Sequence, residues 1–232
     1  MDSLKQEIAA LTARLIADSG LDYGSAKHRA AQEVWGGAHL PKNSLPSNEE
    51  IDLALLEHLE LFDPGHAKRV LHMRQAARAM MELLSGELPD AEILLTGAAW
   101  KGICAEHAHI HLQVFNDNSK EVEYVLLNAN ISYESETTAH WRGDGQVEAL
   151  AMFVPQSMLK NFLEQADHPQ EVAGKAVRRP LMGLLISLYS RDESRGALKT
   201  KLQLRQEIPA RGNLQALLAL LKAPPQEGQH AN

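Results

Sequence analysis

The sequence has one cysteine, few aromatic residues, no long apolar run and no excess of positive charge. Cys104 standing alone excludes a disulfide within the chain and any zinc site built on several thiolates. Aromatics make up 5% of the 232 residues, so the core has to be built from Leu, Ala, Ile and Val. No segment approaches the ~20 apolar residues of a membrane span. The opening stretch, MDSLKQEIAALTARLIADSG, is charged and amphipathic, with no run suited to a signal peptide. The expectation is a cytoplasmic protein with no membrane partner. A net charge of −7 argues against broad nucleic-acid binding, which needs a basic surface, and leaves room only for a local basic groove. What is present is ordinary for a globular chain: 44% apolar, 23% charged, and length enough for one large domain or two small ones.

Residues 1–88 carry helical signals throughout. Ser3 with Gln6 has the spacing of a capping box for a helix that stops at Gly20. Residues 24–35 form a second helix ended by Gly36-Gly37, and PKNSLPSNEE is a connector. Ser47 with Glu50 is another capping box, opening EEIDLALLEHLELF. Asp63-Pro64 reads as the cap and first position of a long helix through GHAKRVLHMRQAARAMMELLSG. After Pro89 the texture changes. AEILLTG, HIHLQVF, ISYESE, QVEALAMFVP and LMGLLISLYS read as strands, and SKEVEYVLLNAN as a helix opened by Ser119. Residues 157–166, 193–205 and 213–222 are expected as helices, and 223–232 as a disordered tail. The fold class is therefore α+β: a helical region, 1–88, then a mixed α/β core, 89–222.

The chemistry concentrates in LLTGAAWKGICAEHAHIHLQVF, residues 94–115. It reads as a strand, a glycine turn, a short helix and a second strand carrying His107, His109 and His111 at every second position, hence on one face. Three neutral imidazoles can hold Zn²⁺ with one position open. Over a strand they spread across about 13 Å, so two of them with a distant residue make the better set. HAHIHLQ also satisfies the histidine-triad pattern of small nucleotide hydrolases, in which a histidine attacks a phosphate. That match spans seven residues, and the helical first third and the glycine turn are unlike that family. The plainest reading makes these histidines a partly solvated or hydrogen-bonded face opposite Ile110, Leu112 and Val114.

The layout of strand, Thr96-Gly97-Ala98, helix and His109-Ile110-His111-Leu112 resembles the nucleotidyltransferase superfamily, the fold shared with polymerase beta. Its signature is an apolar strand, Gly-Gly or Gly-Ser opening a helix, then Asp-h-Asp/Glu-h (h apolar), with a third carboxylate on a neighbouring strand. Glycine lets backbone N–H groups approach a triphosphate. Paired carboxylates hold Mg²⁺ or Mn²⁺, which hard oxygen ligands suit and imidazole does not. The resemblance thus implies a phosphate turn at Gly97 and Ala98, with His109 and His111 standing where the metal carboxylates belong. Further stretches, among them ADSGLDYGSAKHRAAQEV, NEEIDLALLEHLELF and HWRGDGQVEALAMF, resemble an uncharacterised bacterial nucleotidyltransferase-like family, over most of the chain. Members with Asp-Ile-His at this position leave that family without a full acidic pair. Some members carry the label UDP-N-acetylmuramate–alanine ligase, but the chain has no GxxGK[ST] phosphate loop.

The resemblance implies a nucleotidyltransferase-like protein with a degenerate metal motif that binds a nucleotide or phosphate ligand, or serves a regulatory role with a protein partner. The alternative is an active enzyme moving NMP from NTP to a small molecule or protein. In that case Glu148 is the neighbouring-strand carboxylate and Asp117, after the second strand, reaches a cation. Arg142, Lys101 and Arg195 are the candidate anion ligands. Against them stand plainer readings: HWRGDGQVE as a hairpin turn, Arg191 and Arg195 as surface ion pairs, His72, Met73, Met80 and Met81 as packing or surface residues of the long helix, and Cys104 as a small buried hydrophobe.

Overall fold

The computed structural model describes residues 2–36, 44–154 and 182–222. Four helices come first: α1 (Asp2–Ser19), α2 (Tyr23–Trp35), α3 (Asn48–Phe62) and α4 (His66–Glu87). Then come β1 (Glu92–Thr96), α5 (Gly97–Lys101), β2 (Ile110–Phe115), α6 (Ser119–Asn128), β3 (Glu134–Ala139), β4 (Gln146–Val154) and β5 (Met182–Tyr189). Among the described residues, two 3-10 turns, a short hairpin of β6 (Lys201–Gln203) and β7 (Glu207–Pro209), and α7 (Leu214–Lys222) follow. The class is α+β, as expected. The expected helix at 157–166 and the tail at 223–232 lie outside the described residues. Among those described, no helix is long and apolar enough to cross a membrane.

Most helix ends obey the local chemistry. Ser47 and Glu50 form the reciprocal capping box at the start of α3. Other ends differ from the sequence reading. Ser3 lies inside α1, which is already helical at Asp2, so its pairing with Gln6 is not the start signal. Asp22 caps α2 by accepting from Gly24 and Ser25 N–H. Asp63-Pro64 forms a turn before α4, which starts at His66, and the Asp63 carboxylate accepts from Gly65 N–H at 3.0 Å. Asn118 rather than Ser119 caps α6. The largest departure is 193–205. Gly196, at φ +86°, breaks any helix there, and the chain makes the 3-10 turns Arg191–Ser194 and Ala197–Lys199 followed by β6.

The sheet order is β1-β2-β5-β4-β3. Among the described residues only β2 and β5 pair in parallel; the other neighbours are antiparallel. One face is covered by α4, whose Met73, Ala76, Ala77, Met80, Met81 and Leu84 recur at helical spacing and bury against Leu95, Ile110, Leu112, Leu150, Ile186 and Leu188. α6 adds Val122, Val125 and Leu126 to that core. The opposite face carries a smaller cluster of Leu94, Phe115, Tyr189 and Ala197. α1, α2 and α3 build their own core from Ile8, Ile16, Ala30, Ile51, Leu55 and Leu59, joined by Ile103 and Ala105 of the loop after α5. β3, with Glu134 and Glu136 exposed, closes one edge with charge. The β1 edge is closed by a bridge in which Leu95 and Gly212 exchange both backbone hydrogen bonds, at 2.8 and 3.0 Å.

That bridge depends on glycine. A Cβ on residue 212 would lie 2.0 Å from Trp100 Cη2, and the indole is itself fixed by Nε1 donating to Pro209 carbonyl at 2.7 Å. Gly212→Ala is expected to destabilise the protein by about 3 kcal/mol, the upper range of core overpacking. Urea unfolding checks this, and an unchanged midpoint would show the ring to be free to move.

Candidate functional site

β1 ends at Thr96 in extended backbone, and the chain turns into α5 through Gly97 at φ +69°, a conformation that L side chains rarely adopt. A Cβ on Gly97 would meet the His111 side chain at 3.5 Å. The glycine turn and the second strand therefore face each other, as the sequence layout requires. α5 ends at Gly102, whose N–H returns to Ala98 carbonyl at 2.8 Å. The carbonyls of this segment are carried by α4: Arg74 donates to Ala99 and Trp100, Arg69 to Cys104, and the His66 ring meets the Gly102 carbonyl at 2.9 Å.

Lys101 does not stand free beside the turn. Its Nζ lies 2.5 Å from Asp52 Oδ2, and Tyr23 hydroxyl donates to Asp52 Oδ1 at the same distance. Asp52 is 1% exposed, so α2, α3 and α5 meet at a buried carboxylate. Burial, together with the Asp52 charge, pushes the Tyr23 phenol far above its usual range. Tyr23 and Asp52 were invisible as site residues in the sequence, because Asp52 sits among ordinary acidic positions of an amphipathic helix.

The three histidines do not form one strand face. β2 begins at Ile110, where its pairing with β5 begins, so alternation applies to His111 and not to His107 or His109. Each ring packs at a different glycine: His107 at Gly20, His109 at Gly183, His111 at Gly97. Among the described residues no three of His, Cys, Asp and Glu come close enough to share a metal ion. His111 is half-buried, and burial, with His109 and Lys101 nearby, lowers its pKa to about 4. It is neutral at physiological pH and a poor partner for a hard divalent cation.

The remaining candidates lie elsewhere. β5 stands between β2 and β4, and Glu148 shares its face of β4 with Leu150 and Met152, the α4 side. It is thus across the sheet from His111, close to Lys120 and Tyr133. Asp117 comes after the far end of β2, about 20 Å along the strand from His111, and accepts from Arg191 N–H at 3.3 Å. Arg142 donates to Glu193 carbonyl in the β3–β4 hairpin region, and exposed Arg195 pairs with Asp192. Gly97, Ala98 and His111 gather at one end of the sheet; Asp117, Arg142 and Arg195 gather at the other.

Between them, the face opposite α4 carries polar residues that the sequence reading did not single out. The register places Gln113 beside Leu94 and Ser187, one step along from His111. Gln113, Ser187, Tyr189 and Arg211 are all buried there. The only signal was a polar residue interrupting each apolar run, in HLQVF and LLISLY.

Two outcomes are expected. Lys101→Met leaves a buried carboxylate without its cation and costs about 3 kcal/mol, whereas Lys101→Met with Asp52→Leu costs about 1 kcal/mol, mainly the lost Tyr23 partner. A double-mutant cycle by urea unfolding measures the coupling. For His111, the folded pKa lies below the unfolded value near 6.5, so stability is full above pH 6.5 and falls as pH drops toward 4. The steepest slope is about 1 kcal/mol per pH unit, and His111→Gln should remove it from the pH–stability curve.

No protein-family model and no curated protein sequence matches the chain. Two solved structures resemble it in part. Cid1, described as having RNA terminal uridylyl transferase activity, aligns over 53% of this chain and 31% of its own, at 15% identity and TM-score 0.29. The Cid1 poly(U) polymerase with MgGTP bound aligns over 62% and 39%, at 14% identity and TM-score 0.32. The chain thus spans about a third of the length of these proteins, and a likeness this slight carries no weight for its function.

Proposed function

We propose that the protein is a nucleotidyltransferase-like ligand-binding protein that takes a nucleotide or another phosphate ligand at the Gly97 turn without a catalytic metal. The observation that carries this reading is the packing of His111 against Gly97. The strand–glycine–helix–antiparallel strand arrangement brings the turn and the second strand together, with the His111 imidazole beside the turn. Gly97 and Ala98 supply backbone N–H groups, and neutral His111 supplies one N–H donor, to phosphate oxygens. Lys101, tied to Asp52, steadies the turn helix and is not the phosphate ligand. The enzymatic alternative would need carboxylates beside His111, and Glu148 and Asp117 are held away from it.

Thermal unfolding in the presence of ATP, GTP, CTP or UTP, each with Mg²⁺, Mn²⁺, Zn²⁺ or a chelator, tests this. A ligand binding only the native state raises the midpoint; at ten times Kd the gain is about 1.4 kcal/mol. The expected result is a rise with nucleotide that survives the chelator and is lost in His111→Ala. A rise requiring Mg²⁺ or Mn²⁺ would support metal-dependent nucleotidyl transfer instead. A rise with Zn²⁺ alone, abolished by His111→Ala, would support a histidine metal site, and no rise at all would remove nucleotide binding.

A further inference from the structure

Arg211 is 6% exposed, and its Nε and Nη1 are sealed from water with no acceptor. No carboxylate among the described residues pairs with it; its neighbours are the Trp141 ring, 4.5 Å from the guanidinium carbon, and Tyr189. The Trp141 indole Nε1 and Gln113 Oε1 are likewise buried without a partner. These groups share a neighbourhood. The Tyr189 phenol is pushed up by burial and held back by the side chains of Ser187 and Gln113, the Trp141 backbone and the Arg211 charge. The Leu95–Gly212 bridge fixes the Arg211 backbone, and the hairpin loop after β3, with Gly143 and Gly145 at positive φ, presents Trp141.

An arginine cannot shed its proton to escape burial, because its guanidinium stays charged. A buried charge calls for a counter-charge with hydrogen bonds. The Trp141 face supplies partial compensation. A water molecule could accept from the N–H groups, but it would leave the charge unneutralised.

We propose that Arg211 and the Trp141 indole N–H form a buried binding site for a small oxyanion, carboxylate or phosphate, on the face of the sheet opposite α4 and separate from the Gly97 turn. The planar guanidinium fork matches either oxyanion, and the indole N–H adds a donor. The site is defined by the unpaired donors of these side chains, so it stands whether or not the protein binds nucleotides. Covalent chemistry is not required of it.

The test is a thermal-unfolding titration of the full chain with sodium phosphate and with sodium acetate, against sodium chloride at equal ionic strength. Wild type is expected to gain roughly 3–6 °C at ten times Kd of the tighter oxyanion. Arg211→Met should lose the response, and Arg211→Lys, which keeps the charge but not the fork, should weaken it. Trp141→Phe, which removes only the indole donor, should also weaken it and keeps the test decisive if Arg211→Met does not fold. His111→Ala should retain the full response, marking the site as distinct from the Gly97 turn. The proposal is overturned by a wild-type response no greater than with chloride, by an equal response in both Arg211→Lys and Trp141→Phe, or by loss of the response in His111→Ala.

Discussion

The segment from Ala99 to Cys104 leaves the sheet, makes a single short helix and runs back toward β2 with its carbonyls turned inward, and α4 must satisfy them. Arg74, Arg69 and His66, spaced along α4, do so with side-chain hydrogen bonds. Charged donors on backbone acceptors are stronger than neutral ones, and a buried carbonyl left without a donor would cost about 1–3 kcal/mol. The rest of the structure leans on this arrangement. The same helix presents its methionine and alanine stripe to the sheet, so one element fixes both the core and the loop after the glycine turn. Ile103 and Ala105 then carry the loop into the core of the first three helices. Thr96, the residue before Gly97, pairs with His111 in the β1–β2 register, and this packing supports the segment that follows the turn.

The geometry at Gly97 and His111 differs in its electrostatics from a glycine turn faced by paired carboxylates. Carboxylates at i and i+2 would place two negative charges before the turn and require a divalent cation to admit a phosphate. Here His109 lies in the approach to the strand, His111 is neutral, and neither repels an anion. The low pKa of His111 belongs to the same logic: its half-buried ring faces the backbone turn and has Lys101 nearby, so protonation would add charge where desolvation already penalises it.

Much of the fold was legible because local chemistry and packing agree. The capping box at Ser47, the stop at Gly20, the methionine-bearing face of α4 and the alternation of β2 each specify what the structure contains. The segment 193–205 was misread because its charged composition suits a helix, and Gly196 outweighs that weak propensity. For the site, the glycine turn and its facing strand were readable at Gly97 and His111, since both are set by nearest neighbours in the sequence. The histidine alternation was overextended to His107 and His109 because strand register, not composition, decides where a strand begins. Asp52 with Lys101, and Arg211 with Trp141, were not readable at all. Each pair joins residues far apart in the sequence through contacts that no periodicity records.

Those two pairs also explain how the molecule treats buried charge on its two sides. Lys101 enters the interior to meet the Asp52 carboxylate, which also accepts from the Tyr23 hydroxyl, and the result is a closed joint between the helical region and the turn helix. Arg211 enters with an aromatic face and a phenol, neither of which carries the opposite charge at neutral pH. The first arrangement is complete in itself and therefore structural. In the second, Nε and Nη1 have no acceptor within the described protein, and in the same buried neighbourhood Trp141 Nε1 lacks an acceptor and Gln113 Oε1 a donor. Donors left without acceptors, Arg211 Nε and Nη1 and Trp141 Nε1, give that side of the sheet a character suited to anions. The polarity comes from where counter-charges were omitted, and it coexists with the net negative charge of the whole chain.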